Sequence, residues 1–152
     1  MIDERQRRLI RETFDRLRPE QVRAGELFYE LLFAQTPAVR HMFGGTSMPS
    51  QGGKLMQVLA YAVDGVDLWA NLTGRVEDLG ERHAALGIRS DHYAAVGTAL
   101  LNTLRTVLGE NFTEEAEQAW ADFYADLSLV MERGSLRARV KTHETEQRKD
   151  EK

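Results

Sequence analysis

Residues 79–88 read LGERHAALGI, and Tyr93 follows shortly afterwards. Val76, Leu79 and His83 recur at spacings of three and four, so they share the inward face of a short predicted helix. The turn after this helix allows the chain to double back and carry Tyr93 toward the same place. A neutral imidazole that faces an apolar cavity is suited to hold an iron atom from one side. A lone histidine on an apolar face is more often an ordinary core residue, so the rest of the chain must decide.

The composition restricts the class of protein. A chain of 152 residues suffices for one domain with one core. The net charge of -4 argues against a nucleic-acid partner, which needs a concentrated cationic surface. With no cysteine, the chain cannot form disulfides, iron–sulfur clusters or a covalent c-type haem attachment. No apolar run approaches the roughly 20 residues of a membrane helix, and no signal peptide is visible, so we expect a soluble, cytoplasmic protein.

Helical periodicity dominates the sequence. Apolar spacings of three and four recur, whereas alternating strand patterns are nearly absent. We therefore predict an all-α domain of seven or eight helices over residues 1–133, followed by a charged C-terminal tail, 134–152, that extends the last helix or is disordered. One predicted helix carries an apolar stripe of Leu55, Val58, Leu59, Ala62 and Val66. Predicted helix starts and ends lie at Asp3, Arg18-Pro19, Thr36-Pro37, Ser50, Ser90 or Asp91, Gly109 and Thr113.

Several short motifs follow one another in a specific order and spacing. They are Phe28-Tyr29, Pro37 to Phe43, the QGGKLM run at 51–56, the His83 segment, the YAAVG run at 93–97, and Ala119-Trp120 with Tyr124. In these motifs the chain resembles bacterial single-domain haemoglobins and is similar to the globin portion of flavohaemoglobins, from about Ile2 to Arg133. The resemblance implies an all-α globin fold, a three-over-three helical sandwich around haem b (iron protoporphyrin IX, held without a covalent bond).

The resemblance also implies which residues hold the haem. His83 matches the proximal ligand, the one protein bond to the iron. Phe43 matches a phenylalanine that wedges against the porphyrin, where ring stacking fixes a flat cofactor; by itself it would be read as a core aromatic beside a loop. Lys54 and Arg82 are candidates to meet the propionates, although solvated surface positions explain both equally well. The remaining haem contacts implied are Leu55, Val58, Ile88, Tyr93 and Val96.

On the distal side, the resemblance implies a pocket formed by Tyr29, Gln51 and Leu55. Bound dioxygen carries partial negative charge, so hydroxyl and amide donors stabilise it, whereas neutral carbon monoxide gains less. At ~0.5–1.5 kcal/mol for an ordinary hydrogen bond and up to ~3 for a charged one, a donor changes oxygen affinity roughly 2- to 100-fold. The alternatives are a core tyrosine and an exposed first-turn glutamine. Gly52 and Gly53 are unusual in a helix and leave the position of Gln51 open.

On the proximal side, the sequence departs from its relatives. Tyr93 matches a tyrosine that in flavohaemoglobins joins the ligand histidine and a glutamate in a hydrogen-bond network. Here the position of that glutamate reads Gly134-Ser135, and Glu132 lies about one turn earlier. The network would make the ligand histidine more electron-donating, and its acidic member is missing from the expected place. The other histidines are expected to be peripheral: His41 at the surface near the haem edge, His92 in solvent and His143 in the tail.

Three functions are compatible with the resemblance. The expected one is reversible binding of dioxygen and other diatomic gases at a five-coordinate haem iron, for oxygen storage or delivery. The alternative is nitric oxide dioxygenation, which would need a separate reductase because no flavin or nicotinamide domain is seen in these residues. Gas sensing is less favoured, since only the charged tail could transmit a signal. Whether the protein is an enzyme stays open, and a non-haem helical bundle is the remaining interpretation.

Overall fold

Six α-helices and three short 3₁₀ helices follow one another in the computed structural model, which describes residues 2–44 and 48–151. No β-strand occurs within these ranges, so the all-α prediction is confirmed. Seven or eight helices were predicted; six of those described are α-helices, and the short predicted helix after Thr36 is a 3₁₀ helix. The α-helices are α1 (Glu4–Leu17), α2 (Gln21–Gln35), α3 (Met48–Asp64), α4 (Trp69–Ala85), α5 (Ser90–Leu108) and α6 (Glu114–Asp150), and the 3₁₀ helices are Arg18–Glu20, Pro37–Phe43 and Gly109–Asn111.

Two of the predicted helix caps form as the sequence indicates. The Asp3 carboxylate accepts the Gln6 backbone N–H at 2.8 Å, and the Gln6 side chain accepts the Asp3 N–H in return at 3.0 Å. The Thr113 hydroxyl accepts the Ala116 N–H at 3.2 Å. Gly109 ends α5 at a φ of 56°, a conformation that glycine adopts without strain.

At three other predicted helix starts the cap or the first residue differs from the expectation. The Thr36 side chain makes no capping hydrogen bond. Helix α3 starts at Met48, ahead of the predicted Ser50, and part of the predicted glycine-rich loop, 45–47, lies outside the described residues. The residue before α5 is Arg89, whose backbone N–H is accepted by Nδ1 of His92 at 2.9 Å, so an imidazole takes the place of the expected hydroxyl or carboxylate cap.

The core lies where α1, α2, α5 and α6 meet. Trp120 is almost completely buried beside Phe14 and Phe123, with ring centroids 6.3 and 6.0 Å away. Its indole N–H donates to the Thr13 hydroxyl at 2.7 Å, and that hydroxyl donates to the Leu9 carbonyl at 2.6 Å. The polar atoms of this buried cluster are therefore satisfied within the core.

Helices α4 and α6 lie in direct backbone contact. A Cβ atom placed on Gly80 of α4 would collide with the Met131 carbonyl of α6, and one placed on Gly134 would collide with the Glu77 carbonyl of α4. Any side chain at either glycine would therefore force the helices apart. Because α4 carries His83, this crossing sets the position of the candidate ligand.

Helix α6 continues without a break across residue 133. Ser135 is 5% exposed, and beyond it most side chains are exposed. The exposed part is joined to α4 by ion pairs from Arg137 to Asp78 and Glu81, both at 2.8 Å, and from Lys141 to Glu81 at 2.7 Å. The division into a domain over 1–133 and a tail over 134–152 stays a prediction. None of the described helices is both long and apolar enough to cross a bilayer.

Candidate functional site

A cavity of about 450 Å³ lies between α3 and α4, with further walls from α2, α5 and α6. Its volume falls within the ~300–1,000 Å³ range of small-molecule and cofactor sites. The wall is mainly apolar, and its charged or polar members include Arg75, Asp78, Arg82 and His92. An apolar interior with a few polar groups is suited to a large, flat, largely hydrophobic ligand with a charged edge.

His83 reaches this cavity from the last turn of α4. Burial lowers the pKa of its imidazole below the ordinary value, and the positive charge of Arg82 lowers it further. The neutral ring that results is the form that binds metals. Its Nδ1 lies 3.5 Å from the Tyr93 hydroxyl oxygen, at the long end of hydrogen bonding, so Nε2 is the nitrogen left to bind a ligand in the cavity.

Seven of the residues singled out from the sequence line the cavity together. They are Leu55, Val58, Arg82, His83, Ile88, Tyr93 and Val96. Val58, which belongs to the apolar stripe of α3 and was also expected to contact the haem, is 45% exposed because its face of α3 looks into the cavity. Three other members of that stripe, Leu59, Ala62 and Val66, are buried.

The predicted distal residues form a cluster beside the cavity wall. Tyr29 is 6% exposed and its ring meets Phe43 edge to face, with centroids 5.3 Å apart. Burial raises the pKa of the Tyr29 phenol, and a hydrogen bond with the Gln51 side chain partly lowers it. The structure thus brings Tyr29, Gln51 and Phe43 together, but none of these three contributes to the lining of the 450 Å³ cavity, and neither does Lys54, which is exposed. Leu55, one turn after Gln51, does line this cavity.

A second glycine crossing explains why Gln51 lies next to Tyr29. A Cβ on Gly25 of α2 would lie 3.0 Å from the Gly52 backbone of α3, so the two helices approach closely at this point. A Cβ on Gly52 would in turn lie 3.2 Å from the Gly25 backbone, a tight contact that favours glycine in the opening turns of this helix. A Cβ on Gly53 would meet nothing within 4 Å, so packing requires no glycine there.

Two residues of α6, Glu132 and Ser135, influence Tyr93 on the proximal side. Burial raises the pKa of the Tyr93 phenol, a hydrogen bond with Ser135 lowers it, and the charge of Glu132 raises it. The Ser135 hydroxyl also lies 3.2 Å from the Gly80 carbonyl. Among the described contacts the Tyr93 hydroxyl has its long hydrogen bond with His83, and the Ser135 hydroxyl is bonded to backbone carbonyls instead.

Several cavity residues escaped the sequence reasoning. His92, expected in solvent, is half-buried and lines the wall, because it folds back to cap α5. Arg75 lies seven residues before Arg82 on the same face of α4, a spacing that could have identified it. Its guanidinium lies 5.8 Å from the Tyr61 ring centroid, and both residues line the cavity. Leu127 and Met131 of α6 also line it, and no local motif indicated this. Tyr124, which belongs to the motif with Ala119-Trp120, lines the cavity as well.

This all-α protein, with the half-buried imidazole of His83 in the wall of an apolar cavity, is of the class that holds a large cofactor between helices. The globin family model matches residues 26–131, and the chain belongs to the globin family. A flavohemoprotein from Bordetella pertussis is 34% identical over 135 residues, covering 86% of this chain and 33% of the relative. One from Vibrio cholerae is 33% identical over 105 residues, 68% of this chain and 27% of the relative. Neuroglobin-1 from Oncorhynchus mykiss is 29% identical over 146 residues, which cover 88% of this chain and 92% of the relative.

The chain spans about a third of the length of the flavohemoproteins it matches. Membership of the globin family establishes the globin fold and implies a haem cofactor. The residues present fit that cofactor, because the cavity is apolar, holds a neutral imidazole and carries Arg75 and Arg82 among its lining residues.

Proposed function

We propose that this chain binds haem b without a covalent bond and uses it to bind dioxygen and other diatomic gases reversibly, in the cytoplasm, for storage or delivery. The observation that supports this most directly is the neutral imidazole of His83 in the wall of a 450 Å³ apolar cavity. Haem would supply the iron centre that binds the gas, with His83 as its protein ligand.

The chain's own residues then have distinct tasks. His83 binds the metal, and its contact with Tyr93 fixes which ring nitrogen is available. Leu55 and Val58 keep water away from the opposite side of the cavity. Arg82, the candidate named from the sequence, supplies a cation for the propionates, and Arg75 supplies a second one. Lys54 remains a candidate only if its long side chain turns toward the cavity, since it does not line the cavity in this conformation.

Tyr29 and Gln51 are proposed to stabilise a bound gas with partial negative charge. Their side chains already meet, so the amide can orient the phenol. Phe43 packs edge to face on Tyr29 and is proposed to hold the porphyrin edge. Because this cluster lies beside the cavity lining, haem binding requires its side chains to turn toward the ligand.

The experiment that tests haem binding is a hemin titration of the purified protein, followed by its Soret absorption. His83→Ala should abolish the wild-type ferrous spectrum, because it removes the proposed metal ligand. The matched control is His143→Ala, on the exposed end of α6, which should keep the wild-type spectrum. A wild-type protein that stays colourless with hemin, or an unchanged ferrous spectrum in His83→Ala, would contradict the proposal.

The second candidate function is nitric oxide dioxygenation with electrons from a reductase. The likeness to flavohemoproteins and the paired donors Tyr29 and Gln51 favour it. Stopped-flow mixing of the oxygenated protein with nitric oxide, with and without a reductase, separates the two functions. Sustained turnover with the reductase supports the enzyme, and a single oxidation followed by a halt supports the carrier.

A further inference from the structure

We propose that the chain forms a two-fold dimer, in which the exposed face of α6 pairs in parallel and in register with α6 of a second copy. The inference concerns the side of α6 that faces away from the cavity, so it goes beyond the proposed function and does not depend on it. It assigns a task to a segment that, by composition, is a charged tail.

The surface is a stripe of residues on α6 whose spacings alternate between four and three, the repeat of a coiled coil. We call it the α6 seam, and it consists of Leu129, Arg133, Leu136, Val140, His143 and Gln147. Its three aliphatic members are 60%, 57% and 50% exposed, in chain order. A row of exposed aliphatic side chains along one helix face is typical of an interaction surface, whereas single ones are ordinary.

No other element within the described residues covers the α6 seam. Helix α4 packs on α6 at Met131, Gly134 and Ser135, and with 3.6 residues per turn the seam lies on the opposite side. Beyond Ser135 the helix continues to Asp150 with mostly exposed side chains. A helix of this length is marginal in water by itself, so pairing with a second helix would stabilise it.

The residue types of the seam favour two parallel strands. In the heptad notation of coiled coils, position a is occupied by Arg133, Val140 and Gln147, and position d by Leu129, Leu136 and His143. A β-branched residue at a together with leucine at d favours a parallel two-stranded coiled coil, and Leu136 and Val140 form this combination at the centre. At the C-terminal end, Nε2 of His143 lies 3.1 Å from Nε2 of Gln147, so these two polar side chains already bond to each other.

The charges beside the seam are complementary in a parallel pair. Position g of one helix then faces the following position e of the other. Glu132 would meet the partner's Arg137, and Arg139 would meet the partner's Glu144. Each pair joins opposite charges and occurs twice, because the dimer has two-fold symmetry.

The same charges oppose an antiparallel pair. In that arrangement g faces g and e faces e, so with Leu136 and Val140 at the centre, Arg139 would face the partner's Arg139. Arg137 would likewise face the partner's Arg137. Like charges placed opposite each other at an interface disfavour that arrangement.

Arg139 and Glu144 are available for pairing with a second chain. Both are exposed, and neither side chain makes an ion pair or hydrogen bond within the described residues. They lie five residues apart, so they do not face each other on their own helix. Arg137, in contrast, is already paired with Asp78 and Glu81 of α4. The interaction of Arg139 with the partner's Glu144 is therefore the one to test.

Sedimentation equilibrium of the purified chain tests the association. The apolar centre is short, so we expect a dissociation constant in the micromolar range. Leu136→Ala removes a leucine from each side of the centre and should raise this constant about tenfold or more, while alanine preserves the helix. The matched control is Leu68→Ala, outside α6, where the side chain is 63% exposed; it should leave the constant unchanged. A wild-type chain that stays monomeric throughout the micromolar range would overturn the inference.

An exchange of charges tests the pairing. Arg139→Glu and Glu144→Arg each place like charges opposite each other, so either variant alone should dimerise more weakly than the wild type. An equimolar mixture of the two variants should recover the wild-type association, because every pair in the mixed dimer again joins opposite charges. Damage to folding cannot produce this recovery. A mixture that associates no better than its components would contradict the proposed pairing.

Thiol cross-linking tests the orientation. The chain contains no cysteine, so Val140→Cys introduces one thiol per chain. In a parallel pair this position faces the same position of the partner, and oxidised glutathione should link the two chains. In an antiparallel pair it would face the partner's Leu136 and should not link. The control is Thr145→Cys, exposed on the other side of the same helix. Equal cross-linking at both positions, or none at position 140, would overturn the inference.

Discussion

Alanine at Gly80 should destabilise the protein, whereas alanine at Gly74 in the same helix should stabilise it. Both substitutions gain about 1 kcal/mol of helix propensity. A Cβ on Gly74 would meet nothing within 4 Å, but one on Gly80 would collide with the Met131 carbonyl. A backbone atom cannot turn away as a side chain can, so α4 must shift, and overpacking of this kind costs about 1–3 kcal/mol.

The difference between the two variants isolates this cost because the propensity gain is common to both. We expect Gly80→Ala to be less stable than Gly74→Ala by about 1–3 kcal/mol in urea unfolding, or about 2–12 °C in Tm for a domain of this size. Gly80→Ala should also bind hemin more weakly, since the shift of α4 displaces His83. Equal stabilisation by the two substitutions would refute the idea that the α4–α6 contact positions the histidine helix.

Three further changes have defined outcomes. Tyr29→Phe removes the proposed donor to bound gas and should speed oxygen release about 2- to 100-fold in stopped-flow; an unaltered rate would mean that another donor dominates. Thr13→Val leaves the Trp120 indole N–H buried without its acceptor and should lower the free energy of unfolding by about 1–3 kcal/mol in urea; an unchanged midpoint would contradict this. Burial lowers the pKa of His83, so the folded apoprotein binds fewer protons than the unfolded chain, and its stability falls once the pH drops below the unfolded-state pKa of about 6.5. In urea titrations, the free energy of unfolding of His83→Gln should fall less between about pH 8 and pH 5 than that of the wild-type apoprotein.

The part of the site that lies within one helix was predictable from the sequence. Val76, Leu79 and His83 repeat at helical spacing, and all three line the cavity. The same periodicity placed Val58 in the apolar stripe of α3, but only the family resemblance indicated that its face looks into the cavity. An apolar helical stripe has the same sequence pattern whether it meets a packed core or a pocket, so periodicity cannot separate the two.

The parts of the site that depend on contacts between distant helices were not predictable. Leu127 and Met131 reach the cavity only because α6 crosses α4, and no spacing along the chain encodes that crossing. The predicted boundary after Arg133 followed a change to charged residues, yet the next two positions are buried. Composition reports the average character of a segment and overlooks a glycine and a serine at its first turn.

The α4–α6 contact therefore joins the stability of the fold to the chemistry of the pocket. The ion pairs of Arg137 and Lys141 with Glu81 are exposed to solvent and are weakened by water and salt, so they cannot by themselves fix α4. Backbone contact at Gly80 and the Ser135 hydroxyl act at the buried end of the same crossing, one turn from His83. A substitution there moves α4 and therefore His83. For this reason Ser135→Ala, which removes one oxygen atom and adds no bulk, measures the hydrogen bond to the Gly80 carbonyl separately from the steric effect that Gly80→Ala measures.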